Sequence, residues 1–359
     1  MLRGGDVNFK IVLADKDNAE HQRAIQRLWD NNLHYISAGR FEWLYFNNPA
    51  GETITCLAME EEKGEIIGMA SAMRRNFYLQ GQCYTACVAI DFAIDKDFRV
   101  FGPALQLQRA LVEQAWQQGV DFLMGFPNLA SQGILKRIGY KSIGESIRFT
   151  QLIRTHSKLI PRLNDRHMPA WLAGPMSAVL DVGLSMLNLL SRSRGSTSIG
   201  SSLDDMRDEW QQLWQSNRES RVFQGKHDAD YIEWRYINCP YQDYKLFCLH
   251  DGQQKLVAFL VFSIREQVVL IDDFRYLDKA WLSSLFHRFW KAMRPGGNVA
   301  INMGLLVSKE MKDRLVCCGF TTRPSKRWGG VLSNPNGEIR WEQVLSSGEW
   351  YITDGEIDL

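Results

Sequence analysis

The stretch whose residue types and spacing bear most directly on chemistry is AIDFAIDKDFRVFGPALQLQRALVEQA, residues 89–115. An apolar segment over 89–94 reads as a strand, a polar turn follows, and Arg99-Val100-Phe101-Gly102-Pro103-Ala104 runs directly into an amphipathic helix. The first N–H groups of a helix have no partner within it, and the helix dipole adds positive potential there, so the arrangement can hold a phosphate or diphosphate. Gly102 would let an anion approach the backbone, and Arg99 would add a charge contact. The same spelling also suits an ordinary helix start with Pro103 at its favoured first position. Asp91 lies on the strand before the turn, and in a regular strand its neighbours Ile90 and Phe92 face the other way. A hydrogen bond to a neighbouring loop is one role open to it.

The elements that must position these residues follow from periodicity. Residues 8–14 alternate as a strand, 20–32 form an amphipathic helix and 40–46 a short second helix. Strands at 53–59, 65–74 and 84–94 come next, then a helix at 103–118, a strand at 120–126, a helix at 131–138 and a strand at 141–154. Strands followed by alternating helix and strand imply a mixed α/β sheet with helices on its faces.

The order is spelled twice. FEWLYFNNP (41–49) returns as IEWRYINCP (232–240), IQRLWDNN (25–32) faces WQQLWQSN (210–217), and Gly139-Tyr140 matches Gly319-Phe320. The chain divides into residues 1–154, a connector over 155–202 and a second copy over 203–359. Trp43 and Trp234 are expected to pack each short helix on its sheet, or else to contact an acceptor.

With 359 residues, 45% hydrophobic, 23% charged and a formal net charge of +1, the chain reads as globular with no broad electrostatic preference. Composition therefore gives no reason to invoke nucleic acid, and without a long apolar run near the start the expected compartment is the cytoplasm. The seven cysteines lack a CxxC pair or zinc-like spacing with His, so no metal is expected.

Strand, R-x-x-G-x-A, then helix, in this strand order, resembles the acyl-CoA signature of the GNAT acetyltransferase superfamily, with Arg99, Gly102 and Ala104 at its three defining positions. The Phe126-Pro127-Asn128 segment and the helix after it are similar to that family's next strand and helix. The resemblance implies acetyl-CoA as co-substrate, its diphosphate on Arg99, Val100, Phe101, Gly102 and Ala104, its pantetheine along Phe92, Ala93 and Ile94, and Asn128 near it. It also implies splayed parallel strands, an N–H of the splayed strand stabilising the oxyanion, and Asp91 taking the amine's proton. Two positions depart from the pattern. Pro103 lacks an N–H, and Leu135 stands where many relatives carry a general-acid Tyr; Tyr140 takes a core position.

The second copy has no such signature between its fourth strand and the next helix, so coenzyme A is not expected there. Such a chain resembles tandem GNAT proteins whose degenerate half walls the acceptor site. Asp272 and Asp273 would either face a cationic acceptor or lie in solvent. In the connector, residues 171–190 are almost wholly apolar with Ser177, Asp181, Ser185 and Asn188 on one stripe. That helix packs against a domain or a second subunit, lies in a membrane interface, or spans a bilayer. The leading expectation is an acyl-CoA-dependent N-acetyltransferase for a small-molecule or glycan amine. A Fem-like aminoacyl transferase and a non-catalytic binding protein are the alternatives, the first disfavoured by the near-zero net charge.

Overall fold

The computed structural model describes residues 8–33, 39–99, 101–156, 173–189, 193–204, 206–337, 339, 345 and 350–357. Its first half runs β1 (Phe9–Leu13), α1 (Ala19–Asn32), α2 (Arg40–Tyr45), β2 (Ile54–Glu60), β3 (Ile66–Leu79), β4 (Gln82–Ile94), α3 (Phe101–Gln117), β5 (Phe122–Gly125), α4 (Leu129–Ile138) and β6 (Lys141–Leu152). The connector helix α5 (Ala173–Leu189) leads to β7 (Ser196–Gly200), α6 (Arg207–Asn217), β8 (Phe223–Gly225), α7 (Ala229–Ile232) with a π-helical turn after it, β9 (Lys245–His250), β10 (Leu256–Arg265) and β11 (Val268–Tyr276). The chain continues through α8 (Lys279–Met293), β12 (Ala300–Leu306), α9 (Lys309–Cys317), β13 (Thr321–Ser333) and β14 (Trp350–Thr353). The order of the first half thus recurs in the second, with β8 and β14 added.

Local rules account for the elements around the cleft. The Asn18 side chain accepts from the Glu20 and His21 amides and starts α1, whose Ala24, Ile25, Leu28 and Trp29 form one buried stripe. Helix α3 starts two residues earlier than the periodicity suggests, so Pro103 is its third residue rather than its first. Pro at this point removes one of the four unpaired donors of the helix start; Phe101, Gly102 and Ala104 keep theirs.

One sheet joins the strands in the order β1-β2-β3-β4-β5-β13-β6-β12-β11-β10-β9-β7. The last strand of each half lies in the other: β13 pairs with β5, and β6 with β12. Boundaries drawn at 154 and 203 follow the repeat, while the hydrogen bonding binds the halves into one unit. A second connection closes a ring, because β12 pairs β14, β14 pairs β8 and β8 returns to β3. Phe77, Tyr84, Phe122, Val331, Ile143, Leu306, Trp350 and Phe223, one from each strand of that ring, make a single buried cluster.

The repeated Trp motif holds the halves together at another point. Trp43 and Trp234 are buried in one core with residues of the sheet, and they also stack on each other with ring centroids 5.1 Å apart. The Trp43 indole N–H donates to the Trp234 carbonyl at 2.7 Å, and the Trp234 N–H donates to the Trp43 carbonyl at 2.9 Å. Each copy of the motif satisfies the other's buried polar groups.

The two fourth strands differ in what lies beside them. β4 and β5 pair in parallel only from Ala86/Phe122 to Ala89/Gly125, and the edge of β4 past Ala89 has no strand partner among the described residues. In the second half, β11 and β12 pair only over 268–270 and 300–302. There β14 bonds to β12 at Leu305 and Leu306, and since β6 takes the other edge of β12 through Leu305, β14 lies on the β11 side. The Tyr351 hydroxyl donates to the Phe274 carbonyl on β11 at 2.9 Å. The chain's own C-terminal strand therefore fills the gap that stays open in the first half.

Candidate active site

The gap between β4 and β5 opens into a cleft of about 660 Å³, roofed by α1, α3 and α4. Asp91, Phe92, Ala93, Ile94, Arg99, Ala104 and Asn128 line it. Val100 lies outside the described residues, and Phe101 and Gly102 form the first turn of α3 beside it.

β4 is not a regular strand here. Ile90 is opposite Ser71 and Ala93 is opposite Met69, so Asp91 and Phe92 together face Ala70 in a bulge. Asp91 has φ +30°, a conformation that non-glycine residues seldom adopt. The bulge turns successive residues of β4 toward the cleft, and the expected alternation of Ile90 and Phe92 away from Asp91 is lost: all three line it.

The Asp91 carboxylate is held by residues outside its own strand. Arg40 Nη1 and Nη2 donate to Oδ2 and Oδ1 at 3.0 and 3.1 Å, a bidentate pair whose side chains are 6% and 5% exposed. The Tyr45 hydroxyl donates to Oδ2 at 2.9 Å and lies 2.9 Å from Ser71 Oγ, which lies 3.0 Å from Thr55 Oγ1. Burial, with the charge of Asp91 next, holds the Tyr45 phenol well above its ordinary range, so it stays protonated. Arg40 also sits over the Trp29 ring at 4.7 Å. Asp91 thus joins the cleft to the short helix α2, a contact with no local sequence signal beyond the motif's Tyr.

At the mouth, the exposed Arg99 donates to the Ile94 carbonyl at 3.1 Å and to Asn32 Oδ1 at 2.7 Å. Asn128 caps α4, its Oδ1 accepting from the Ala130 and Ser131 amides at 3.0 Å each, which fixes the helix start at the cleft edge. Gly125 ends β5 where a Cβ would come within 2.7 Å of Leu135 Cδ1; its lack of a side chain lets α4 pack close. Leu135 itself is buried and lines the cleft, and Tyr140 lies in the core, where burial raises its phenol.

Gln108, two turns into α3, escaped the sequence reading. It is buried, and its Oε1 has no hydrogen-bond partner among the described residues although it lines the cleft. A buried unpaired amide oxygen is costly, and a ligand bearing an amide N–H would satisfy it. Pantetheine carries two such groups. With the unpaired edge of β4 and the α3 start, the donor and acceptor set fits an acyl-CoA.

The second half is different. Asp273 is fully buried, 2.7 Å from His227 Nε2 and 3.2 Å from Arg275 Nη1. Asp272 is buried as well, and burial, followed by the charge of Asp354, raises it to about 7. Neither lies in solvent. Tyr236, the counterpart of Tyr45, donates to Asp273 at 3.3 Å, so the repeat conserves a tyrosine–aspartate contact while the cleft beside it is filled.

Comparison with known proteins bears on the class that the fold and cleft suggest. Residues 19–140 match the family model described as Acetyltransferase (GNAT) family. A conserved Enterococcus faecalis protein described as a probable N-acyltransferase is similar over 91% of this chain and 72% of its own, with a TM-score of 0.63 and 13% identity. A GCN5-related N-acetyltransferase from Anabaena variabilis matches over 90% of this chain and 72% of its own (TM-score 0.61, 12% identity). Saccharomyces cerevisiae N-myristoyltransferase with bound myristoyl-CoA matches over 95% of this chain and 89% of its own (TM-score 0.56, 10% identity). At these identities the likeness is one of fold. Comparison with curated protein sequences finds no match.

Proposed function

We propose that this protein is an acyl-CoA-dependent N-acyltransferase of tandem GNAT plan, with one working cleft in the first half and a second half that bounds the acceptor side. The observation that carries the reading is the open splay past Ala89 and Gly125, with the start of α3 at its mouth. The diphosphate would lie at the Phe101, Gly102 and Ala104 amides beside Arg99, and the pantetheine along Asp91 to Ile94 with Gln108 opposite. The thioester supplies an acyl group activated for attack by an amine. Acetyl is the proposed group because the matching family model is one of acetyltransferases.

Asp91 is the one carboxylate lining the cleft among the described residues. It would hold the amine's proton at Oδ1, which among the described residues accepts from Arg40 alone, whereas Oδ2 also accepts from Tyr45. The acceptor would be a small-molecule or glycan amine. Titration calorimetry of the full chain with acetyl-CoA tests the donor site. Binding should appear in the micromolar to low millimolar range and fall at least about tenfold in Ala104→Glu, which places a carboxylate at the helix start. No heat with acetyl-, hexanoyl- or myristoyl-CoA would refute the reading. A panel of amines and aminosugars, with release of free coenzyme A as the signal, then identifies the acceptor class.

A further inference from the structure

Helix α5 is built inside out. Ser177 is buried and Asp181 partly so, and they face the protein: the Asp181 carboxylate accepts from the Thr155 amide and hydroxyl, both at 2.9 Å, and Ser177 Oγ lies 3.4 Å from His156 Nδ1. The opposite face presents Val179 at 73% exposure, Val182 at 54%, Leu180 at 46% and Met176 at 39%. A helix in contact only with water would carry these residues the other way round.

The charge of the sequence flanking the helix, of which Lys158, Arg162, Arg166 and Arg192 lie outside the described residues, selects what covers this face. Residues 154–194 hold six Arg and Lys against two Asp, whereas the rest of the chain holds thirty-six basic against thirty-nine acidic side chains. The local excess of positive charge disfavours a second copy, whose identical face would bring like charges together across a two-fold axis. An anionic lipid surface is complementary to both properties, because apolar residues enter the acyl boundary while flanking bases meet the headgroups. No helix among the described residues is long and apolar enough to cross a bilayer. We propose that α5 docks the protein flat on an anionic membrane surface, an inference independent of the chemistry assigned to the cleft.

Sedimentation of the full chain with sucrose-loaded vesicles tests this, using phosphatidylcholine alone and phosphatidylcholine with phosphatidylglycerol at about 2:1. The protein should pellet with the mixed vesicles and be released by high salt. Val179→Glu/Leu180→Glu should weaken the partition at least about tenfold, the loss of two buried apolar side chains. Should that variant misfold by circular dichroism, Val179→Ser/Val182→Ser takes its place with the same direction of effect. Absence of pelleting with anionic vesicles, equal pelleting with neutral ones, or partition unchanged by the substitutions would each overturn the proposal. A dimer in light scattering that the Glu substitutions convert to monomer, without vesicle binding, would overturn it in favour of a subunit interface.

Discussion

The Arg40–Asp91 pair offers the sharpest test of how the cleft works, because its two explanations part company in a double variant. Both side chains are about nineteen-twentieths buried and joined by two hydrogen bonds, with a third from Tyr45. Removing one partner strips the other of its buried counter-charge, which costs roughly 3–5 kcal/mol. Asp91→Asn and Arg40→Met should therefore each shift a urea midpoint downward by on the order of 1 M. The double variant leaves no orphaned charge, so its loss should be smaller than the sum of the singles by at least about 2 kcal/mol. Activity then separates the roles. A proton acceptor is worth on the order of 10²–10⁴ in rate, so if Asp91 holds the amine's proton the double variant regains stability but stays at least about a hundredfold slow at neutral pH. It should recover only above the acceptor amine's own pKa. Turnover within a few-fold of the parent at pH 7 would refute the proton-acceptor role and leave Asp91 a clamp on α2. A coupling energy below about 0.5 kcal/mol would refute the ion-pair reasoning itself.

Other consequences follow from single contacts. Gly125→Ala forces a Cβ against Leu135; it should cost about 1–3 kcal/mol and raise the KM for the acyl donor more than it lowers kcat. Trp43→Phe strands the Trp234 carbonyl and loses one indole bond, which should lower stability by about 1–3 kcal/mol, and Trp234→Phe should do the same through the reciprocal bond. Trp350→Ala empties the centre of the eight-strand cluster, stacked on Phe223 at 4.7 Å, and should cost about 3–5 kcal/mol in denaturant unfolding. Asp272, raised to about 7 by burial, is neutral in the folded chain while the unfolded chain ionises it near 4. The folded state then binds the extra proton, so this residue makes stability fall as pH rises from about 4 to 7 and level off above. Asp272→Asn should remove that fall, stabilising the protein by a few kcal/mol at pH 8 and hardly at all at pH 4.

Much of the cleft is legible in one dimension. Ala93, Ile94, Arg99 and Ala104 are near one another in the chain, so a strand, a turn and a helix start place them together without help from elsewhere. Helix α3 departs from the periodicity at its first turn, because Pro103 suits a helix's first position while the chain starts the helix two residues ahead of it. Arg40 and Gln108 were not legible, because each gains its meaning from a partner or an absence of one across the fold. The bulge at Asp91 was hidden for a related reason: apolar alternation around it is intact, and only the register against β3 shows the extra residue.

What this sequence determines by itself is local: the order of strands and helices, its recurrence, the apolar stripes that set each buried face, and a helix start suited to a diphosphate. These depend on neighbours within a few residues, where backbone geometry and side-chain period act directly. Tertiary structure alone decides that β6 and β13 complete the opposite halves, that Trp43 and Trp234 bond to each other, and that β14 fills one cleft while the other stays open. Backbone hydrogen bonds are chemically alike at every residue, so no local pattern names a strand's partner. Which edges meet is set by the packing of the whole chain, and that packing leaves the splay between β4 and β5 open.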